Sequence, residues 1–373
     1  MKLISYLKKV DYVLLVVVLL LSAIGIAAIG VATNTDNFLA GDSADFIFRQ
    51  AVALSLGLTG MLIVMSIDYK VLGRHWMLIF AVCILLLLAV YVPGLGIVNK
   101  GSRRWINMGF MEFQTSEIVK IGFIIVMAKI LEIRKNKLNS IFDILVIFAA
   151  VLAFVSLVFI QPDLGQSLVY IVIASGMVFV AGINMKIVFG ALGAIIIIAP
   201  ILWNFMMEDY QKNRIIYFLN PTLDPLGQGY HTIQSIITVG SGEVFGKGLN
   251  AQNTMTSLNY LPAQWTDFIF SVISESAGFV GGSVVVLLFG LMLFRLLRDA
   301  RAAKDEFGTL IIVGVFFMFA FQIFENIGMT LGLMPITGIT LPFLSYGGSS
   351  LMTNLIAVGL VLGVHMRRHS INF

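Results

Sequence analysis

The strongest constraint on this chain is a series of apolar runs, each long enough to cross a bilayer. A helical crossing takes about 17–25 such residues. Runs of that kind fall near 11–31, 47–67, 76–93, 115–131 and 141–160, and again near 165–182, 186–205, 267–294, 308–332 and 343–364. They predict about ten spans, an even number. Period-two alternation is absent, so a β-barrel is not indicated. The expected fold is an all-α integral membrane protein, a single polytopic unit over 1–373. The first run continues past the length of a signal peptide and lacks a clear small-residue cleavage site, so it is expected to remain as an anchor.

Composition agrees. Of the 373 residues 59% are hydrophobic and 12% charged, with a mean hydropathy of +0.97, whereas a soluble domain carries about 25% charged residues. The single cysteine, Cys83, excludes an internal disulfide and offers nothing for a Cys-based metal site. The net charge of +4 is not read as a nucleic-acid surface, because the basic residues sit in short clusters between spans.

Those clusters set the orientation. One set of connections holds Lys2, Lys8, Lys9, Lys70, Arg74, Arg134, Lys135 and Lys137. The same set continues with Lys186, Arg295, Arg298, Arg301, Lys304, Arg367 and Arg368. The alternate connections are poorer in basic residues, and the first holds Asp36, Asp42 and Asp45. Both termini are therefore expected on the cytoplasmic side. "NKGSRRWI" (99–106) breaks the pattern by placing Lys100, Arg103 and Arg104 outside, for headgroup contact or for an anionic ligand. The longest connection, 206–266, is also external by this count. Loops of that length are usually functional or disordered. "HTIQSI" suggests short amphipathic helices at an interface, and "GSGEVFGKGLNAQN" suggests tight turns.

Ionisable groups within spans are functional candidates. Glu117 and Lys120 lie three apart on one helix face, as an ion pair or as part of a site. Asp163 follows Pro162 at a span boundary, where it can cap the next helix. Glu325 stands beside Asn326, for a polar helix contact or for chemistry. In "QWTDFIFSVISESAG" (264–278), Asp267, Ser271, Ser274 and Gly278 would share one face if helical, with Glu275 at its flank. That stripe must line a cavity or meet another helix. An outward-opening cavity with basic residues at its edge and a carboxylate at its lip would suit an anionic amphiphile whose tail stays in the bilayer.

Six motifs in order then carry a resemblance: "GSRRWINMG" (101–109), "QTSEIVK" (114–120), "QPDLGQS" (161–167), "NPTLDPLGQGYH" (220–231), "TDFIFSVISE" (266–275) and "TGITLPFLSYGGSS" (337–350). Over nearly its whole length the chain resembles the RodA/FtsW (SEDS) family of shape, elongation, division and sporulation proteins. Region 220–275 is closer to RodA. The resemblance implies a peptidoglycan glycosyltransferase in the bacterial cytoplasmic membrane. Such an enzyme polymerises lipid II into glycan strands on the outer face, here for cell elongation and rod shape. It implies a class B penicillin-binding protein as transpeptidase partner, and surrounding membrane lipids. It maps the family's essential loop carboxylate onto Asp267 and its polar cavity groups onto Arg103, Arg104, Trp105, Glu117, Lys120 and Asp163. Its final motif maps onto Pro342, Ser345, Gly347 and Ser349. Ser271 and Glu275 join the candidate substrate contacts from the stripe. The chain departs from the family pattern at Thr115, Trp265, Ser274 and Ser276, where Pro, His, Gly and an acidic residue are common.

A β-linkage made from an α-linked pyrophosphate donor inverts the anomeric carbon, so one in-line displacement suffices. It needs a base for the acceptor hydroxyl and charge stabilisation for the leaving group. Asp267 is the expected base, and Arg103, Arg104 and Lys120 are the expected pyrophosphate ligands. A divalent cation, magnesium or manganese, could assist, although no dedicated ligand cluster is visible. Two other classes stay open: a lipid II flippase, and a non-catalytic scaffold that activates its penicillin-binding partner. Transport without polymer would mark the first. Partner-dependent activity surviving Asp267→Asn would mark the second.

Overall fold

In hydrocarbon every backbone N–H and C=O must be satisfied within the protein, and helices do this locally. The computed structural model describes residues 9–34, 42–99, 102–107, 112–135, 140–205, 207 and 209–368. Lys2, Lys8, Asp36, Lys100 and Lys137, used above for orientation, lie outside these.

The helices are α1 (Tyr12–Thr33), α2 (Asp42–Ser66), α3 (Tyr69–Arg74), α4 (Trp76–Ala89), α5 (Thr115–Arg134), α6 (Ile141–Ile160) and α7 (Leu164–Val180). They continue with α8 (Met185–Phe205), α9 (Asp209–Leu219), α10 (Gln228–Ser241), α11 (Ile269–Arg301), α12 (Glu306–Thr330) and α13 (Gly348–Met366). Each of the ten expected spans coincides with one of them. By length and composition alone, α1, α2, α6, α11, α12 and α13 qualify as membrane spans, while α4 and α7 are shorter apolar helices. In α5 the apolar run is diluted by Glu117, Lys120, Lys129, Glu132 and Arg134.

Acidic caps mark several starts. The Asp11 carboxylate accepts from the Val13 and Leu14 N–H groups at 3.0 and 3.1 Å. Asp305 accepts from the Gly308 N–H at 2.9 Å. Such caps stabilise a helix by about 1 kcal/mol. The basic clusters gather at one end of the bundle, where ion pairs tie helices together. Arg295 donates to Asp11 at 2.7 Å, Lys135 meets Glu306 at 2.7 Å, and Lys70 meets Asp305 at 3.1 Å. Asp299 and His365, both buried, pair at 2.7 Å.

Helix α13 is the most enclosed span, with 89% of its apolar window buried. It packs along α2 through glycines that let backbones approach. A β-carbon on Gly359 would lie 2.6 Å from the Met61 carbonyl oxygen, and one on Gly57 would lie 2.5 Å from Leu355 Cδ1.

Three features refine or correct the sequence reading. First, the helical bundle also carries three short strands. Gly96–Asn99 (β1), Ser102–Asn107 (β2) and Glu112–Gln114 (β3) form a small antiparallel sheet ordered β1-β2-β3. Trp105 stands opposite Ile97 and Gln114. A short hairpin carries too few residues to show a pattern against ten apolar runs. Second, α10 is an amphipathic helix whose polar face turns into the protein, with Ile236 and Ile237 exposed. Its Thr232, Ser235 and Thr238 are buried, and it packs against α11. Third, Asp267 precedes α11, so the proposed stripe is not one helical face. Ser271 and Ser235 share a 2.9 Å hydrogen bond, and Ser274 donates to the Phe270 carbonyl. Of the two alternatives, the stripe meets another helix.

Helix α11 is also broken. Gly278 has φ 68° and ψ −166°, a conformation open to glycine. The loop after α10 fills the break. The Phe279 and Val280 N–H groups donate to the Glu243 and Val244 carbonyls at 2.8 and 3.1 Å. The Lys247 and Gly248 N–H groups donate to the Glu275 and Ser276 carbonyls, both at 2.9 Å. A β-carbon on Gly278 would sit 2.3 Å from the Gly246 nitrogen.

Two expectations follow. Gly278→Ala combines a positive φ with backbone overlap, so it should destabilise by about 2 kcal/mol or more. A lowered melting temperature in detergent would show it. Asp305 is half-buried; burial opposes its ionisation, but the Gly308 N–H, the Tyr69 hydroxyl and Lys70 outweigh it and hold its pKa below the usual carboxylate value. Its contribution is therefore present at neutral pH and lost as pH falls through that lowered value. Asp305→Asn should lower the melting point at pH 7, and the difference from the parent should vanish under strong acid.

Candidate active site

Asp267 stands on the turn that leads into α11. Its N–H donates to the Ala263 carbonyl at 3.1 Å, and Ala263 takes φ 53° to close that turn. The turn is held from three directions. From α12, the fully buried Asn326 donates to the Asp267 carbonyl at 2.9 Å and to the Ile339 carbonyl at 2.8 Å. From the segment before α13, Ser345 donates to the Thr266 carbonyl at 2.6 Å and accepts from the Leu341 N–H. The Tyr346 N–H donates to the Trp265 carbonyl at 2.8 Å. From α1, the Ala32 carbonyl accepts from Gln264 at 2.8 Å, and Gln264 also reaches the Thr256 carbonyl. The Gly338 backbone faces the carboxylate, since a β-carbon there would lie 3.8 Å from Asp267 Oδ2. Thr337 donates to Glu325, a buried carboxylate close enough to feel the Asp267 charge.

A cleft of about 450 Å³ opens beside this turn. Its walls include Phe48, Trp105, Trp265, Thr266, Tyr346 and Ser349. Phe46 backs two of them, 5.7 Å from the Trp265 ring and 4.9 Å from that of Tyr346. Aromatic walls suit the apolar faces of sugars and of a lipid tail.

The second polar group is a linked cluster. Lys120 Nζ lies 2.9 Å from Glu117 Oε2, with both side chains buried. Gln166 donates to the other Glu117 oxygen. Asp163 caps α7 through the Gln166 N–H at 3.3 Å, accepts from Gln114 at 2.7 Å and pairs with Arg104 at 3.3 Å. Burial pushes the Asp163 carboxyl up, against the opposing charge of Arg104. Side-chain alternation on β2 puts Arg104 opposite Trp105 and Arg103, and Arg103 is exposed.

The candidates therefore divide. Arg104, Glu117, Lys120 and Asp163 form one network, and β2 and β3 connect it to the cleft through Trp105 and Glu112. Ser349 lines the cleft, while Ser345 latches the turn. Ser271 and Glu275 lie elsewhere. Ser271 joins α11 to α10, and Glu275 accepts from Ser241, Lys247, Met255 and Thr256. Sequence reasoning missed the roles of Asn326 and Gln264, since each binds a carbonyl far away along the chain. It also missed His231, whose ring stacks 6.3 Å from that of Phe268.

The comparisons agree with this architecture. The family model FTSW_RODA_SPOVE, cell cycle protein, matches residues 11–370. Stage V sporulation protein E of Bacillus subtilis (strain 168) is 38% identical, over 95% of this chain and 96% of that protein. Peptidoglycan glycosyltransferase MrdB of Escherichia coli (strain K12) is 34% identical, over 88% of each. Among solved structures, the Thermus thermophilus rod shape determining protein RodA has a TM-score of 0.71 at 30% identity, covering 97% of this chain and 98% of that one. A chain from a structure on the coordination of polymerization and crosslinking by a peptidoglycan synthase complex has a TM-score of 0.81 at 32% identity, covering 97% and 99%. This multi-pass cytoplasmic membrane protein belongs to the FtsW/RodA/SpoVE family.

Proposed function

We propose that this chain is an inverting peptidoglycan glycosyltransferase that polymerises lipid II on the outer face of the cytoplasmic membrane, in the service of cell elongation. The observation that carries the reading is the clamped 263–267 turn, whose Trp265 and Thr266 line an aromatic cleft immediately before Asp267, with Trp105 of that cleft adjoining Arg104 of the buried arginine, lysine and carboxylate network. Relatives bearing the name peptidoglycan glycosyltransferase support it.

In this reading Asp267 takes the proton from the acceptor hydroxyl as that oxygen attacks the donor's anomeric carbon. The bond to the pyrophosphate oxygen breaks in the same displacement, and its electron pair leaves with the pyrophosphate. Because the configuration inverts, no second close carboxylate is required as a nucleophile. Arg103, from the Trp105 face of β2, and Arg104, reaching round from the opposite face beside Asp163, are assigned to the pyrophosphate oxygens, for which the guanidinium fork is suited. Lys120 adds a buried positive charge, and Glu117 fixes its position. Asp163 aims Arg104. Trp105 and Ser349 line the space for the sugar, and Asn326 and Ser345 keep the base in place.

Among the described residues no group of three or more His, Cys, Asp or Glu side chains stands together as a metal site. Asp267 and Glu325 are carboxylates that influence one another electrostatically, and Glu325 keeps one buried oxygen without a hydrogen-bond partner. Two carboxylates fit a magnesium or manganese ion that takes its other ligands from pyrophosphate and water. Such an ion would neutralise charge on the leaving group. The similarity to a chain of a peptidoglycan synthase complex supports a penicillin-binding protein as partner, and we assign it to class B.

Polymerisation of labelled lipid II by the purified chain with its partner tests this reading. Asp267→Asn should lower kcat by about 10² or more, the usual contribution of a positioned base, with KM little changed. Undiminished turnover in a folded sample would remove Asp267 from that role. Arg103→Ala should raise KM about tenfold, as expected for one lost charge-assisted hydrogen bond. The melting temperature should hold, because Arg103 is exposed.

A further inference from the structure

A second cavity, of about 360 Å³, lies between the end of α1, the 247–257 loop and the Glu275–Ser276 stretch of α11. Val31 and Asn34 at the outer end of α1 form one wall, the 247–257 loop forms most of the rest, and Glu275 and Ser276 of α11 complete it. Gln264 joins the two clefts physically. Its side chain bonds Ala32 and Thr256 beside this cavity, while the adjacent Trp265 and Thr266 line the aromatic one.

The chemistry of the two clefts differs. No aromatic ring lines this one. Its lining holds the side chains of Asn34, Asn250, Gln252, Asn253 and Ser257. Its two charged groups cancel. Glu275 forms the floor and is saturated, accepting from Lys247 and the Met255 N–H, each at 2.9 Å, from Ser241 at 3.0 Å, and from the Thr256 N–H and hydroxyl at 2.9 and 2.6 Å. Lys247 is thereby spent on Glu275. A phosphate would find no uncompensated cation here, and a prenyl chain only Val31, Leu249 and Ala251 in a mostly polar lining. Side-chain amides and hydroxyls both donate and accept. They match a ligand of the same kind, rich in hydroxyls and N-acetyl groups.

We infer that this polar cleft is a saccharide subsite that holds already-joined sugar units of the growing strand, outside the bilayer and behind the reacting end. The inference rests on the polymerase reading and assigns a further part of its substrate. A strand that stays bound between additions is extended many times before release, so the cleft would set product length.

The test uses a lipid-free tetrasaccharide of alternating N-acetylglucosamine and N-acetylmuramic acid as probe. Binding is measured to the full chain carrying Asp267→Asn, in which reaction is blocked and the cleft is intact. Adding Asn250→Ala and Gln252→Ala should weaken binding about tenfold, as two lost neutral hydrogen bonds would. Both side chains are exposed, so the melting temperature should not move. Ala251→Trp, which fills the cleft, should abolish probe binding and, on the otherwise unsubstituted chain, shorten the glycan product. Equal affinity across these variants, or no binding to the parent, would overturn the inference and leave the polymerase reading intact. A parent chain that binds the probe but makes no polymer from lipid II would sink the polymerase reading instead.

Discussion

The structure depends on keeping an irregular piece of backbone ordered where water is scarce. The turn at 263–268 and the segment from 331 to 347 are both non-helical, yet their ends reach into a bundle of membrane helices. Their carbonyls cannot be left bare, because an unsatisfied group in hydrocarbon costs several kcal/mol. Buried amide side chains solve this. Asn326 bonds one carbonyl from each segment. Gln50 accepts from the Gly347 N–H and donates to the Ser345 carbonyl. Each is a two-point clamp, and together they place Asp267 with little freedom. A carboxylate held in this way is preorganised for the role proposed for it.

The broken helix α11 serves the same arrangement. Its first part carries the Asp267 turn and its second part spans toward the cytoplasmic ion pairs. Gly278 lets the direction change, and the loop after α10 takes over the freed hydrogen bonds. The close approach of Gly242 to Ser274, and of Gly246 to Ser276, explains the glycine-rich composition of that loop. Glu275 then gathers residues 254–256 onto α11, so one buried carboxylate orders a loop that sequence alone would leave open. Its role is in the frame of the polar cleft, apart from Asp267.

The spans were legible because a bilayer demands long apolar runs, and all ten left that mark. Caps such as Asp163 were legible because a carboxylate after Pro162 has few other uses. The Glu117–Lys120 pair followed from helical spacing. What sequence could not show was long-range. Gln264 and Ala32 are 232 positions apart, and nothing in either neighbourhood announces the bond. The interruption at Gly278 was hidden because glycine is common in membrane helices and breaks few of them. The Asp267 stripe misled for a related reason: a periodicity of small and polar residues continues past the end of a helix without showing where the helix begins.

To act as a base, the side chain at position 267 must meet water on the outer face of the membrane, next to the cleft lined by Trp265 and Thr266. A single cysteine placed there, in a chain whose buried Cys83 is replaced by serine, tests it directly with a membrane-impermeant thiol reagent on intact cells or right-side-out vesicles. Labelling from outside without permeabilisation is the expected result. Labelling that requires opening the membrane, or that occurs only from the cytoplasmic side, would contradict it.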